Sequence, residues 1–159
     1  MTGLSQRYLA ALGRVTVAFQ MTEHHLSSAL QLLLSPDRIS GQIVTAELRF
    51  QGLLSVLEAL YLQRVHDAPR RAKVVRLLKR ASDAEGHRNR LIHSLWVGGR
   101  DERYRPFRLK ITVKRSKGLR FDTEDVPLRT LINLAEELES IAYDAIDLEN
   151  ELLEEFGDR

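Results

Sequence analysis

The 159-residue chain has no cysteine, which rules out disulfides and thiolate chemistry and fits a protein of the reducing cytosol. No stretch comes near the roughly 18 consecutive apolar residues that span a bilayer. The longest apolar cluster of note, Leu32-Leu33-Leu34, is far too short, so a membrane is not an expected partner. The first twenty residues lack an apolar core followed by a small-residue cleavage site, and no secretory signal is expected. No glycine-rich loop ends in Lys-Ser or Lys-Thr, and Gly98-Gly99 reads only as a turn signal. No serine stands in a nucleophile-elbow context. Glu23-His24-His25 lacks the pair of histidines four apart, with a glutamate, that zinc chemistry uses, and His66 and His87 have no ligand-spaced companions. Neither a metal nor another cofactor is expected.

What is present suits a single domain over residues 1–159. A hydrophobic fraction of 43% can fill one core, and 29% charged residues supply a solvated surface. The net charge of +2 conceals an asymmetry. From Arg64 to Arg120 there are 18 Lys/Arg against 5 Asp/Glu, a balance of +13, and the remainder holds 6 against 17, a balance of −11. Two readings stand: the basic segment attracts a polyanion, or basic and acidic helices pair within the fold or between subunits.

Periodicity predicts a mainly α fold. Leu4, Tyr8, Leu12, Val15, Phe19, Leu26, Leu30 and Leu33 mark one face of a first helix, ended by Ser35-Pro36-Asp37. A second helix is expected from Ser40 to about His66, with Ile43, Glu47, Phe50, Leu54, Leu57 and Tyr61 on one face, Glu47 being the polar exception. Asp67 caps a third, with Pro69 in its first turn, running towards Trp96. Ser82-Asp83-Ala84-Glu85 reads as a capping box and Gly86 weakens a helix interior, so this segment is either continuous or broken there. Phe107, Leu109, Ile111 and Val113 then alternate with Arg108, Lys110, Thr112 and Lys114, and a turn at Ser116-Lys117-Gly118 leads to Leu119-Arg120-Phe121. This is a β-hairpin over about 105–122 with a basic outer face. The last helix spans Val126–Phe156, with a buried stripe at Leu131, Leu134, Leu138, Ile141, Ala145, Leu148 and Leu152. The expected architecture is a four-to-five-helix up-and-down bundle with a small hairpin before the last helix.

One segment carries chemistry: Arg88-Asn89-Arg90-Leu91-Ile92-His93. On a helix, Asn89 and His93 are four apart and share a face, so the amide can hydrogen-bond the imidazole and set its tautomer. Arg88 lies about 140° round the helix from His93, and its long side chain can still swing to a shared ligand. Its guanidinium is a permanent planar cation suited to phosphate. A histidine side chain, ordinarily titrating near 6.5, serves as acid or base near neutrality. These are the parts that RNA cleavage through a ribose 2′-hydroxyl requires.

In a mostly helical chain of this size, this Arg-polar-x-x-x-His pattern resembles the signature of the HEPN family. Many of its members are metal-independent ribonucleases of toxin–antitoxin, phage-defence and RNA-processing systems. The resemblance covers these six residues closely and the helical layout loosely, and leaves out the hairpin. It implies Arg88, Asn89 and His93 as catalytic residues, a 2′,3′-cyclic phosphate product and no metal. It also implies a homodimer that brings two motifs to one cleft, and a cognate antitoxin protein as a further partner. In one subgroup a tyrosine two residues after the motif histidine is modified by a nucleotidyltransferase. Leu95 occupies that position here, so such regulation is not supported.

Arg90 and the hairpin cations Arg108, Lys110, Lys114 and Arg120 are candidate RNA-backbone contacts, joined by Arg100, Arg103 and Arg105 in the preceding loop. The same hairpin charges equally describe an edge strand guarded against aggregation. The competing function is a non-catalytic helical module that binds a protein partner, a nucleotide or RNA, in which Arg88, Asn89 and His93 make structural contacts only.

Overall fold

The computed structural model describes residues 3–34, 38–98, 106–114 and 118–157, the side chains of Arg38 and of residues 112–114 excepted. Among the described residues there are five helices and three strands: α1 (Gln6–Leu34), α2 (Arg38–Ala46), α3 (Phe50–Arg64), α4 (Ala68–Ile92), β1 (Leu95–Val97), β2 (Phe107–Lys114), β3 (Gly118–Asp125) and α5 (Leu128–Phe156). The fold is mainly helical, with a small antiparallel sheet of order β1-β2-β3 before the last helix. Residues 1–17 and 86–136 form one compact unit and residues 18–85 and 137–159 another.

The second unit follows from the amphipathic stripes. Leu26, Leu30 and Leu33 of α1, Leu54, Leu57 and Tyr61 of α3, and Leu138, Ile141, Leu148 and Leu152 of α5 are all buried, as their three- and four-residue spacing requires. Asp67 caps α4 as expected: its carbonyl accepts from the Arg71 amide at 3.0 Å, and its side chain accepts from the Arg70 amide at 2.8 Å. The basic face of α4 meets the acidic face of α5 through Arg70–Glu155 (2.8 Å), Lys73–Glu151 (2.8 Å), Arg80–Glu137 (2.8 Å) and Arg80–Asp144 (2.6 Å). Part of the charge asymmetry is thus spent inside the fold.

Two expectations need correction, and one open alternative is decided. The segment 40–66 is two helices, broken over Glu47–Arg49, although no proline or glycine marks the place. Leu48 closes a tight turn onto the Thr45 carbonyl at 3.2 Å, and Arg49 is extended. Tertiary contacts favour this break. The Phe50 ring packs on Phe19 with centroids 4.9 Å apart, and the Thr45 hydroxyl accepts from Gln31 Nε2 at 2.9 Å. The open alternative is decided by α4, which runs unbroken through Ser82–Gly86. Both polar members of the supposed capping box are occupied by Gln51 of α3: Ser82 Oγ donates to its Oε1 at 3.1 Å, and Glu85 accepts from its Nε2. In addition, α4 stops at Ile92 instead of running towards Trp96, and Leu95–Val97 joins the sheet as a third strand. The turn at 35–37, the loop at 99–105 and the hairpin tip at 115–117 lie outside the described residues. Gly118, which follows the tip, has φ of 68°, a left-handed conformation that favours glycine.

Register fixes the two faces of the sheet. The pairs Leu95↔Leu109, Val97↔Phe107 and Ile111↔Phe121 place these apolar residues on one face. Trp96↔Arg108, Arg108↔Glu124 and Lys110↔Asp122 lie on the other. The alternation matches the sequence, but burial departs from it at three positions: Ile111 and Phe121 are exposed, whereas Arg108 is buried.

Candidate functional site

The motif occupies the last turn and a half of α4 and the turn that follows it. Arg88 and Asn89 are half-buried, while His93 is exposed just past the helix end. The His93 amide still bonds the Asn89 carbonyl at 3.3 Å, so the helical i, i+4 relation persists one step into the turn. The expected Asn89–His93 side-chain bond does not form among the described residues. Instead Asn89 Oδ1 accepts from Arg88 Nη1 at 2.9 Å. This contact commits the amide's acceptor and orients its donor end. The imidazole makes no hydrogen bond among the described residues and stands open to solvent.

The turn is held from both sides. Ser94 Oγ donates to the Arg90 carbonyl at 2.7 Å, and Trp96 Nε1 donates to the Leu91 carbonyl at 2.9 Å. These bonds satisfy carbonyls that the helix end would otherwise leave open. The Trp96 ring packs against Tyr8 of α1 at 6.5 Å, and the Tyr8 hydroxyl donates to the Val126 carbonyl at 3.1 Å. The path from His93 into β1 is therefore anchored, although His93 itself is not.

Beside it lies a network that the sequence reading missed. Arg108 is only 2% exposed; its Nε donates to Glu124 Oε2 at 2.5 Å, Nη2 also reaches Glu124, and Asp122 stands 3.3 Å away. Arg90 bonds the same Glu124 at 2.7 Å, and Ser94 Oγ lies 3.5 Å from Arg108 Nη1. Burial alone would raise the Glu124 carboxyl, but the hydrogen bond and charge of Arg108, joined by Arg90, hold it below the ordinary carboxylate value. The available signal was the period-two spacing of Asp122 and Glu124 on the strand opposite Arg108.

The candidate RNA contacts therefore divide. Lys110 and Arg120 are exposed on the polar face of the sheet. Arg90 is exposed but paired with Glu124. Arg108 is removed from the set: a buried guanidinium committed to two carboxylates cannot contact an RNA backbone. The Lys114 side chain, with Arg100, Arg103 and Arg105, lies outside the described residues. Among the described residues no group of three or more His, Asp or Glu could hold a metal ion, and His25 is paired with Glu149 at 2.6 Å. No helix there is long and apolar enough to cross a membrane.

Compared with protein-family models, curated proteins and solved structures, the chain matches none.

Proposed function

We propose that the protein is a HEPN-like, metal-independent endoribonuclease acting as a homodimer. The observation that carries this reading is that one helix end holds both the Arg88–Asn89 pair and an exposed imidazole at His93 that makes no hydrogen bond among the described residues. His93 takes the proton from a ribose 2′-hydroxyl, and the 2′-oxygen attacks the adjacent phosphorus. The bond to the 5′-oxygen breaks, and that oxygen leaves with a proton from an acid. The products are a 2′,3′-cyclic phosphate and a 5′-hydroxyl. Arg88 stabilises the charge that builds on the phosphate, and Asn89 orients it. One motif has one imidazole, so the acid is the His93 of a second copy. Lys110 and Arg120 contact the backbone of the RNA. A toxin or defence role, with a cognate antitoxin, belongs to the same reading.

The test is incubation of wild-type and His93→Ala protein with total and transfer RNA in EDTA, with the product ends identified. Cleavage by the wild type alone, leaving cyclic phosphates, is expected, with a loss of about 10²–10⁴-fold in the variant. His93 is exposed and bears no side-chain bond among the described residues, so the variant should keep its helical signal and melting temperature. Equal cleavage by both proteins would refute the assignment.

The second reading, a non-catalytic interaction module, is favoured by one observation: several cations of the basic segment are consumed in ion pairs with α5 and β3. Salt separates the two readings, because RNA binding weakens steeply with ionic strength and an apolar interface does not.

A further inference from the structure

Four large apolar side chains stand on one face of the sheet, open to water: Leu95 at 60% exposure, Ile111 at 53%, Leu119 at 56% and Phe121 at 63%. Register places them together, since Leu95 pairs Leu109, Ile111 pairs Phe121, and Leu119 shares the face of Phe121 two residues along β3. Scattered exposed apolar residues are ordinary, but a contiguous set on a flat strand surface marks a surface that is covered in use. The departure has a local cause. On the polar face Arg108 is buried while its partners Glu124 and Asp122 stay partly solvated, so the guanidinium is neutralised without leaving water-facing charge unpaired.

We propose that a second copy of this chain covers the apolar face, the two sheets packing face to face about a two-fold axis. Area supports this occupant. Taking about 200 Å² for a fully exposed apolar residue, the four side chains offer roughly 450 Å² per copy, so a pair buries roughly 900 Å². The half-buried Phe107 and Leu109 on the same face carry the total to about the 1,000 Å² that a specific interface needs. Charge supports it too. The cations Lys110 and Arg120 lie on the opposite face by register, so among the described residues the patch holds no cation for a phosphate backbone. His93 lies two residues before Leu95, so this interface brings the two motifs to one assembly. That last consequence rests on the nuclease reading, whereas the interface itself does not.

The test is sedimentation equilibrium of the full chain and of the Ile111→Lys/Phe121→Lys variant at about 10 μM. The wild type is expected at twice its 18.2 kDa chain mass and the variant at 18.2 kDa, with an unchanged far-ultraviolet helical signal. Leu119→Glu, on the edge strand, provides an independent substitution should the double variant unfold, and it too is expected to be monomeric. A monomeric wild type, or folded variants that remain dimeric, would overturn the proposal. RNA assays on the same samples separate the two claims. A dimer broken by these substitutions with no cleavage by the wild type keeps the interface and discards the nuclease. Cleavage by a wild type that is monomeric does the reverse.

Discussion

Removing the Glu124 carboxylate should cost far more stability than removing the guanidinium it holds. The asymmetry comes from exposure. Arg108 is 2% exposed, while the side chains of Glu124 and Asp122 are 40% and 66% exposed. Glu124→Ala leaves a buried cation whose remaining carboxylate partner, Asp122, is 3.3 Å away and largely in water. An orphaned buried charge costs about 3–5 kcal/mol, and the surviving Asp122 contact brings the expected loss to about 2–3 kcal/mol. Arg108→Met removes the cation and keeps its volume, leaving two carboxylates that water can reach, at a cost of about 1 kcal/mol or less. Trp96 is the sole tryptophan and sits in β1, so its fluorescence reports on this sheet during urea unfolding. With a slope of about 2 kcal/mol per molar, Glu124→Ala should lower the midpoint by about 1–1.5 M and Arg108→Met by about 0.5 M or less. Equal shifts, or a larger loss in Arg108→Met, would refute the reasoning and show that packing rather than charge burial governs the site.

Two further outcomes follow from the same structure. Glu124 has a lowered pKa in the folded state, so its contribution to stability is whole above the ordinary carboxylate pKa of about 4.3 and is lost as pH falls through the lower folded-state value. The difference in urea midpoint between wild type and Glu124→Gln should therefore be largest at neutral pH and vanish in strong acid; a difference independent of pH would contradict the pairing. Asp67→Ala removes the side-chain acceptor of the Arg70 amide and should destabilise the fold by about 1 kcal/mol, measured as a lower thermal midpoint. Asp67→Asn, which keeps an acceptor oxygen for the Arg70 amide, should recover most of that loss.

Much of the fold was legible in the sequence because helices and strands impose different periods on their apolar residues. The stripe Leu131–Leu152 of α5 and the stripe Val15–Leu33 of α1 are buried where their spacing places them. Asp67 caps α4 because a carboxylate ahead of a proline-bearing first turn serves few other purposes. The alternation over β2 likewise identified a strand and sorted its residues into two faces. The motif was equally legible, since it is a contiguous string, but the helix end just before His93 was not, because the expected helix ran on towards Trp96. That Asn89 would bond Arg88 rather than His93 was not readable, because both partners are within reach and the helix end decides between them.

What only the tertiary structure decided were matters of competition between distant groups. Period two shows which residues of β2 share a face, but not which face is buried. The usual rule puts Ile111 inside and Arg108 outside, and it fails because Glu124 and Asp122, paired across from β2, neutralise the guanidinium and let it be buried. The break at Glu47–Arg49 and the continuity of α4 across Ser82–Glu85 were settled the same way, by Phe19, Gln31 and Gln51 reaching in from other elements. Local sequence thus determined most of the helices, the β-hairpin and the candidate chemistry. Partners far away in the chain decided which surfaces were covered, because the energy of a buried charge or ring depends on what is packed against it.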